Sequence, residues 1–346
     1  MNKHPLVSII IPTYNSQADI GNCLRSIGKI SYPNYEVVVV DNHSADQTRQ
    51  IVSKFGQRVQ LIKNKINLGF AAAVNLGVKQ AKGELALILN PDTMVQANFV
   101  QPLVKVLSSD QRIAVCQPAV FLLSSPDKLN LSGKVVHYLG FDWLRDYRQK
   151  LIRQSGPIDS FSGSAFLISK QLFAKVGGLD ERYFMYYEDS DLAWRLKLLG
   201  YRLQFVAESQ IYHDYKFMPR EDYLSASRKF FYAERNRLMT IGKNYTAKTL
   251  LLVLPALIFF ELGMIGFALA NGWLTAKLKS YRSLWQLRTH ILRERSRIQP
   301  ERVITDQQFT ANFQGQISFV HFQNPVLKLV ANPVLSIYWS TIRRLI

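Results

Sequence analysis

Four clusters of polar residues carry the chemistry available to this chain: Thr13-Tyr14-Asn15, Asp41-Asn42, Asn90-Pro91-Asp92 and Glu188-Asp189-Ser190-Asp191. The first three follow the apolar runs "LVSIIIP", "YEVVVVD" and "ELALILN". Asp and Asn are ordinary turn formers, so each cluster alone reads as a loop, whereas three at one sheet edge favour a site. Neither G-x-G-x-x-G nor G-x-x-x-x-G-K-[ST] follows the first run, which continues "PTYNSQADIG". Phosphate must then be held by other means, most simply a divalent cation with carboxylate help, and Asp92 is the best-placed carboxylate. In the fourth cluster three acids crowd one helix start, where the macrodipole favours anions. Capping and an i, i+4 ion pair with Arg195 account for Asp191, less well for Glu188 and Asp189. Adjacent carboxylates raise the proton affinity of one of them, which suits a general base.

The elements that must position these groups alternate in type. "LVSIIIP", "YEVVVVD", "VQLIKN" and "ELALILN" are short β-branched or aliphatic runs, and "QADIGNCLRSI" and "FAAAVNLGVKQAKG" between them have helical spacing. Such alternation predicts an α/β fold of βαβ units, with a mostly parallel sheet and helices on both faces. Ligands of these sheets bind at the carboxyl ends of the strands, where the first three clusters lie.

The chain has 346 residues, 48% hydrophobic and 12% aromatic, enough for one catalytic-size domain, expected over 1–240, and an appendage, expected over 241–346. "MNKHPLVSIIIPTYN" runs directly into a strand pattern without a leader, so folding in the cytosol is expected. Cys23 and Cys116 stand far apart in apolar surroundings and read as buried hydrophobes. Of the net charge of +18, two-thirds falls after Tyr215, where nineteen Lys and Arg face seven Asp and Glu. Without a zinc-finger, RNA-recognition or helix-turn-helix signature, nucleic acid is not the expected partner; an anionic membrane surface or a phosphate-bearing substrate is.

Residues 250–274, "LLLVLPALIFFELGMIGFALANGWL", carry one charge, Glu261, and are long enough to span a bilayer. A single crossing would export the Arg-rich stretch "KLKSYRSLWQLRTHILRERSR", against the positive-inside tendency. Monotopic attachment at the cytoplasmic face is therefore expected, as a hairpin or in-plane helix at Pro255 and the Gly263/Gly266 pair. A single transmembrane helix over 250–272 is the alternative. The tail from Val326 reads as a second anchor or a packed helix, and 298–324 as loop.

Residues 5 to about 240 resemble a family 2 glycosyltransferase of the GT-A fold, a Rossmann-like nucleotide-diphospho-sugar transferase that inverts. The resemblance is carried in family order by "VSIIIPTYN", "VVVVDNHSADQT", "NLGFAAAVNLG", "LILNPDT", "GSAFLISKQLFAKVGGLDERYFMYYEDSDLAWRLKLLGY" and "YHDYKF". "NLGFAAAVN" with "NPDT" resembles the rhamnosyltransferase-like branch, whose enzymes build cell-surface polysaccharides.

The resemblance implies a nucleotide-sugar donor, with deoxythymidine-diphosphate rhamnose the expected one, and a glycan or polyprenyl-linked acceptor. It puts Tyr14 under the nucleobase between Thr13 and Asn15, and Asp41 at the base edge. Asn67 and Gly69 would shape the loop beside the diphosphate, with Asn75 on the next helix; helix-end roles are the other reading of these three. Asp92 matches the last residue of the family's Asp-x-Asp metal motif, and Asn90 replaces the first. The motif assigns the general base to Asp189, with Glu188 orienting the acceptor beside it. His213 would complete a site for Mn²⁺ or Mg²⁺, and Trp194 would line an acceptor groove or sit in the core. The alternative is a catalytically silent nucleotide-sugar-binding or scaffold protein of the same fold.

Overall fold

β1 (Val7–Thr13), buried along its whole length, lies inside a ten-stranded sheet in a computed structural model that describes residues 4–152, 154–215, 223–319 and 324–346. Parallel neighbours flank it, β2 (Tyr35–Asp41) and β4 (Leu85–Leu89), and β3 (Gln60–Lys63) continues beyond β2. This half is the βαβ arrangement read from the sequence. Its helices are α1 (Ile20–Ile27), α2 (Thr48–Ser53) and α3 (Phe70–Gln80). A strand covered on both faces has no polar side to alternate with, which explains the continuous aliphatic runs.

The rest of the sheet departs from the expected mostly parallel pattern. After β5 (Thr93–Val95) and α4 (Val100–Ser109) come β6 (Ile113–Leu122), β7 (Ser125–Leu131) and a separate ribbon of β8 (Lys134–Val136) with β9 (Asp142–Leu144). Then follow β10 (Gly156–Ile158), β11 (Ala165–Ser169), α5 (Lys170–Lys175), α6 (Glu188–Leu198) and β12 (Arg202–His213). The strand order is β10-β12-β6-β11-β4-β1-β2-β3, with β5 on β12 and β7 on β6. β11 is antiparallel to both β4 and β6, so the sheet is mixed. Antiparallel pairing needs no crossover helix, whereas the longest pairing of this half, β12 on β6, is parallel and has α5 and α6 in its connection.

The described chain divides into two compact units. The sheet unit takes in the described residues up to 215, apart from 135–143 and 197–200, which belong to the second unit with everything described from 223 onward. The second unit is helical: α7 (Tyr223–Asn244), α8 (Ala247–Ala270), α9 (Leu274–Gln286), α10 (Arg288–Ile298), α11 (Asp306–Phe309) and α12 (Asn332–Ile342). Residue 240, the boundary drawn from sequence, falls inside α7, which runs unbroken across it.

Of the hairpin and the helix read at Pro255, the structure has the helix: α8 continues through it, because a proline forfeits one backbone hydrogen bond and the other turns of a 24-residue helix hold it. Thr246 caps its start by accepting from the Thr249 N–H. The stretch read as loop contains α11, which is closed by a Thr305–Gln308 capping box.

Candidate active site

The carboxyl ends of β1 and β2 meet through hydrogen bonds between their loops. The Asn15 N–H donates to Ser44 Oγ and its Oδ1 accepts from the Ala45 N–H, both at 2.9 Å. Asn15 holds a left-handed φ of 50°, which Asn tolerates better than most residues, and so serves the turn. Tyr14 is 52% exposed, the aromatic surface this edge offers to a planar base, while Thr13 is buried. Asp41, expected at the base edge, is fully buried, with Oδ2 accepting from Arg49 Nε at 2.5 Å and from the Ser44 N–H at 3.1 Å. Arg49, absent from the sequence reading, is the partly exposed charged group above it.

Asn42 links β2 to the next loop, donating to the Gly69 carbonyl at 2.9 Å and accepting from Asn64 Nδ2 at 2.8 Å. Asn67 Oδ1 accepts from the Gly69 N–H at 2.9 Å, a local turn that sets up α3. Gly69 has φ 86°, and a Cβ there would stand 2.4 Å from the Phe184 carbonyl oxygen. Asn75 bonds the Leu179 backbone through both N–H and carbonyl, so it ties α3 to the "GGLDE" loop. These contacts favour the helix-end and loop-bracing readings of Asn67 and Asn75.

β4 ends at Leu89, and the chain turns through Asn90-Pro91-Asp92 into β5. The Asn90 N–H donates to the Ser164 carbonyl and its own carbonyl accepts from Thr93 Oγ1, leaving a buried Oδ1 without a hydrogen bond. Cys23 packs beneath this turn, where burial pushes its thiol up to about 12. The register of β5 on β12 sets Thr93 opposite His213, and the Asp214 N–H donates to the Asp92 carbonyl at 2.9 Å. Two residues far apart in sequence thereby meet: His213 Nε2 lies 3.2 Å from Asp92 Oδ1. That oxygen is buried and, despite the short separation, has no hydrogen bond of acceptable geometry. His213 Nδ1 is engaged with Asn130 Oδ1 at 2.9 Å, which leaves Nε2 as the ring nitrogen that faces the carboxylate. The carboxylate oxygen and the imidazole nitrogen together form a donor set that suits a hard-to-borderline divalent cation. Among the described residues no group of three or more His, Cys, Asp or Glu could hold a metal. The Lys216-Phe217 end of the "YHDYKF" match lies outside the described residues.

At the start of α6, Glu188 and Asp189 are both buried. Asp189 Oδ2 accepts from Lys134 Nζ at 2.9 Å and from the Gly163 N–H at 2.7 Å; Oδ1 accepts from the Ser190 N–H at 2.7 Å and the Ser190 hydroxyl at 3.2 Å. Four donors thus converge on one carboxylate and fix its orientation. Gly163 opens the quoted "GSAFLIS" match but was given no role, and Lys134 was not read from the sequence. Asp191 makes the anticipated bond to Arg195 at 2.8 Å, both buried, and Arg195 also donates to the Val176 and Gly178 carbonyls. Trp194 is 1% exposed and belongs to the core rather than to a groove.

The family model of glycosyl transferase family 2 matches residues 8–177, and one described as the N-terminal domain of galactosyltransferase matches 150–218. The N-acetylglucosaminyl-diphospho-decaprenol L-rhamnosyltransferase of Mycobacterium tuberculosis is 28% identical over 236 residues, 60% of this chain and 76% of that protein. Poly-beta-1,6-N-acetyl-D-glucosamine synthase of Staphylococcus epidermidis is 24% identical over 206 residues, 58% of this chain and 47% of the synthase. Among solved structures, GalNAc-T7 with UDP, GalNAc and Mn²⁺ matches 72% of this chain and 49% of its own, with TM-score 0.59 and 16% identity. The mannosyltransferase PcManGT of Pyrobaculum calidifontis, in complex with GDP-Man and Mn²⁺, matches 99% of this chain and 84% of its own, with TM-score 0.51 and 18% identity. At that identity the solved structures show the fold. Taken with the family match and the relatives, the mixed sheet and its edge identify the chain as a family 2 glycosyltransferase of the GT-A fold, similar to rhamnosyltransferases.

Proposed function

We propose that the protein transfers a sugar, with inversion, from a nucleoside diphosphate to a hydroxyl of a glycan or polyprenyl-linked acceptor at the cytoplasmic face of the cell membrane. The observation that carries the reading is the pairing of Asp92 Oδ1 with His213 Nε2 at 3.2 Å, at the start of β5 and the end of β12. Asp92 and His213 would hold Mn²⁺ or Mg²⁺ together with diphosphate oxygens, and the cation, when bound, would offset the negative charge of the departing diphosphate. The two solved structures named above contain Mn²⁺ with a nucleotide or nucleotide sugar, which supports this donor set. Tyr14 stacks on the base and Arg49 offers donors beside it, with Asp41 fixing Arg49 rather than touching the base. Deoxythymidine-diphosphate rhamnose is the donor favoured by the rhamnosyltransferase relative, whose decaprenol-linked substrate also supports a lipid-linked acceptor.

Asp189 takes the proton of the attacking hydroxyl. The Gly163 N–H and Ser190 hold the carboxylate in place, and the hydroxyl takes the position of Lys134 Nζ, the only one of the four donors outside the backbone and Ser190. The occupancy of both Asp189 oxygens favours a second reading, in which neighbouring Glu188 is the base and Asp189 its support. The sheet unit is the catalytic domain in either case. A thermal-shift panel of nucleotide sugars with and without Mn²⁺ tests donor and cation together. A ligand at a hundred times its Kd adds about 2.7 kcal/mol. If no nucleotide sugar shifts the melt with Mn²⁺ present, the reading fails.

A further inference from the structure

α8 has two apolar faces of different fate. Val253, Ala256 and Ala268 are buried within the helical unit, while Leu251, Leu254, Ile258, Leu262 and Leu269 on the opposite stripe are 43–71% exposed. Their spacing of three, four, four and seven keeps them on one side of the helix. α12 lies beside it, with Tyr338 Oη donating to the Leu252 carbonyl at 2.8 Å, and Ile337 of α12 is likewise 70% exposed. Glu261, the one charge of α8, points to the protein side. It accepts from Lys277 Nζ at 2.7 Å and Tyr281 Oη at 2.5 Å, both on α9, and pairs with Arg237 of α7. Glu234 of α7 closes the cluster by pairing with Arg237 at 3.1 Å and with Lys277.

We propose that the helical unit docks on an anionic lipid bilayer through the outer stripe of α8, with that helix flat in one leaflet and not across it. The cluster around Glu261 decides between the two poses. A spanning α8 would put Glu261 near the bilayer centre, and its partners would have to follow. α7 also carries Arg228, Lys229 and Arg235, and α9 carries Lys279 and Arg282, so the price of crossing is a whole set of charges in hydrocarbon. In the flat pose the cluster stays within the protein and the outer stripe alone enters the acyl region. Charge complementarity selects the anionic surface: exposed Lys248 opens the α8 stripe, and exposed Lys328 and Arg344 flank the α12 stripe, at headgroup depth. Gly263 and Gly266 leave that face open, since a Cβ on either meets nothing within 4 Å.

The inference rests on the membrane part of the proposed function and is independent of the sugar chemistry. The test uses the full chain with sealed vesicles of phosphatidylethanolamine and phosphatidylglycerol. Both native cysteines are buried, so single Lys248→Cys and Asn271→Cys variants place one reactive thiol at either end of α8. Both should label equally with an impermeant maleimide added outside, and the Ile258→Glu/Leu262→Glu variant should lower the floated fraction roughly tenfold while keeping the wild-type circular dichroism. Protection of Asn271→Cys with free labelling of Lys248→Cys overturns the flat pose and establishes a span. Equal flotation on vesicles of phosphatidylcholine alone overturns the anionic preference. Absence of flotation by the parent protein overturns the membrane reading itself, and leaves the transferase reading standing. Should the double variant misfold, the paired labelling still decides the pose.

Discussion

The residues that matter most are those whose partners come from distant segments. Asp92 is partly exposed in the turn after β4, and its carboxylate has His213 as its charged neighbour, so Asp92→Ala should fold normally yet lose the extra thermal stabilisation that Mn²⁺ adds to a bound nucleotide sugar. An unchanged Mn²⁺-dependent shift would remove Asp92 from the cation site. The base is decided by a pair of isosteric changes. Asp189→Asn keeps one acceptor oxygen but cannot take a proton, so transfer should fall by roughly 10²- to 10⁴-fold with donor binding retained. Glu188→Gln should cost less. The reverse order of effects, read from kcat with saturating donor, would move the base to Glu188 and make Asp189 its anchor.

Among the elements, α6 and the loop before it bear the most strain and the most compensation. Phe184 has φ 64° and ψ −59°, with the Met185 N–H donating to the Tyr183 carbonyl at 2.7 Å, a tight positive-φ γ-turn of the rare, strained kind. Tyr186 and Tyr187 also have positive φ. The segment is held by neighbours: the Phe184 carbonyl accepts from the Phe70 N–H at 2.7 Å, and the Asp191–Arg195 pair fastens the "GGLDERY" loop to the helix. Arg195→Met removes the cation from buried Asp191 and should cost about 3–5 kcal/mol, measured from the urea midpoint at constant slope. Gly69→Ala meets both a positive φ and a backbone oxygen that cannot move aside, so a loss of at least about 2 kcal/mol is expected. A neutral result there would mean that the loop between β3 and α3 is free to relax.

For the whole molecule, two compact units with separate cores predict a departure from two-state melting. Calorimetry should give a measured enthalpy larger than the van't Hoff value, and nucleotide sugar with Mn²⁺ should raise only the component that belongs to the sheet unit. One transition that shifts as a whole would show that the units unfold together. The charge of +18 adds a second expectation: binding to anionic vesicles should weaken as ionic strength rises from about 0.01 to 0.15 M, because the Debye length shrinks from about 30 to 8 Å. A fraction should persist at high salt, since the exposed stripe of α8 does not depend on charge.

The sequence alone determined the parallel half of the sheet, the strand-end position of Thr13, Asp41 and Asp92, the Asp191–Arg195 pair and the two-sided apolar character of α8. These follow from local rules: the period of apolar residues, the end of a run, and a spacing of four on a helix. Tertiary structure decided the rest. Asn130 reaches His213 because β7 and β12 both pair with β6, a register that no local pattern encodes. The contact of Lys134 with Asp189, the burial of Trp194 and the capture of Asp41 by Arg49 come from the packing of helices on the sheet, which the sequence does not spell out locally either. Glu261 is the plainest case: in sequence it is a lone acid in an apolar helix, and only the packing of α7 and α9 supplies the cations that make it a protein-facing residue.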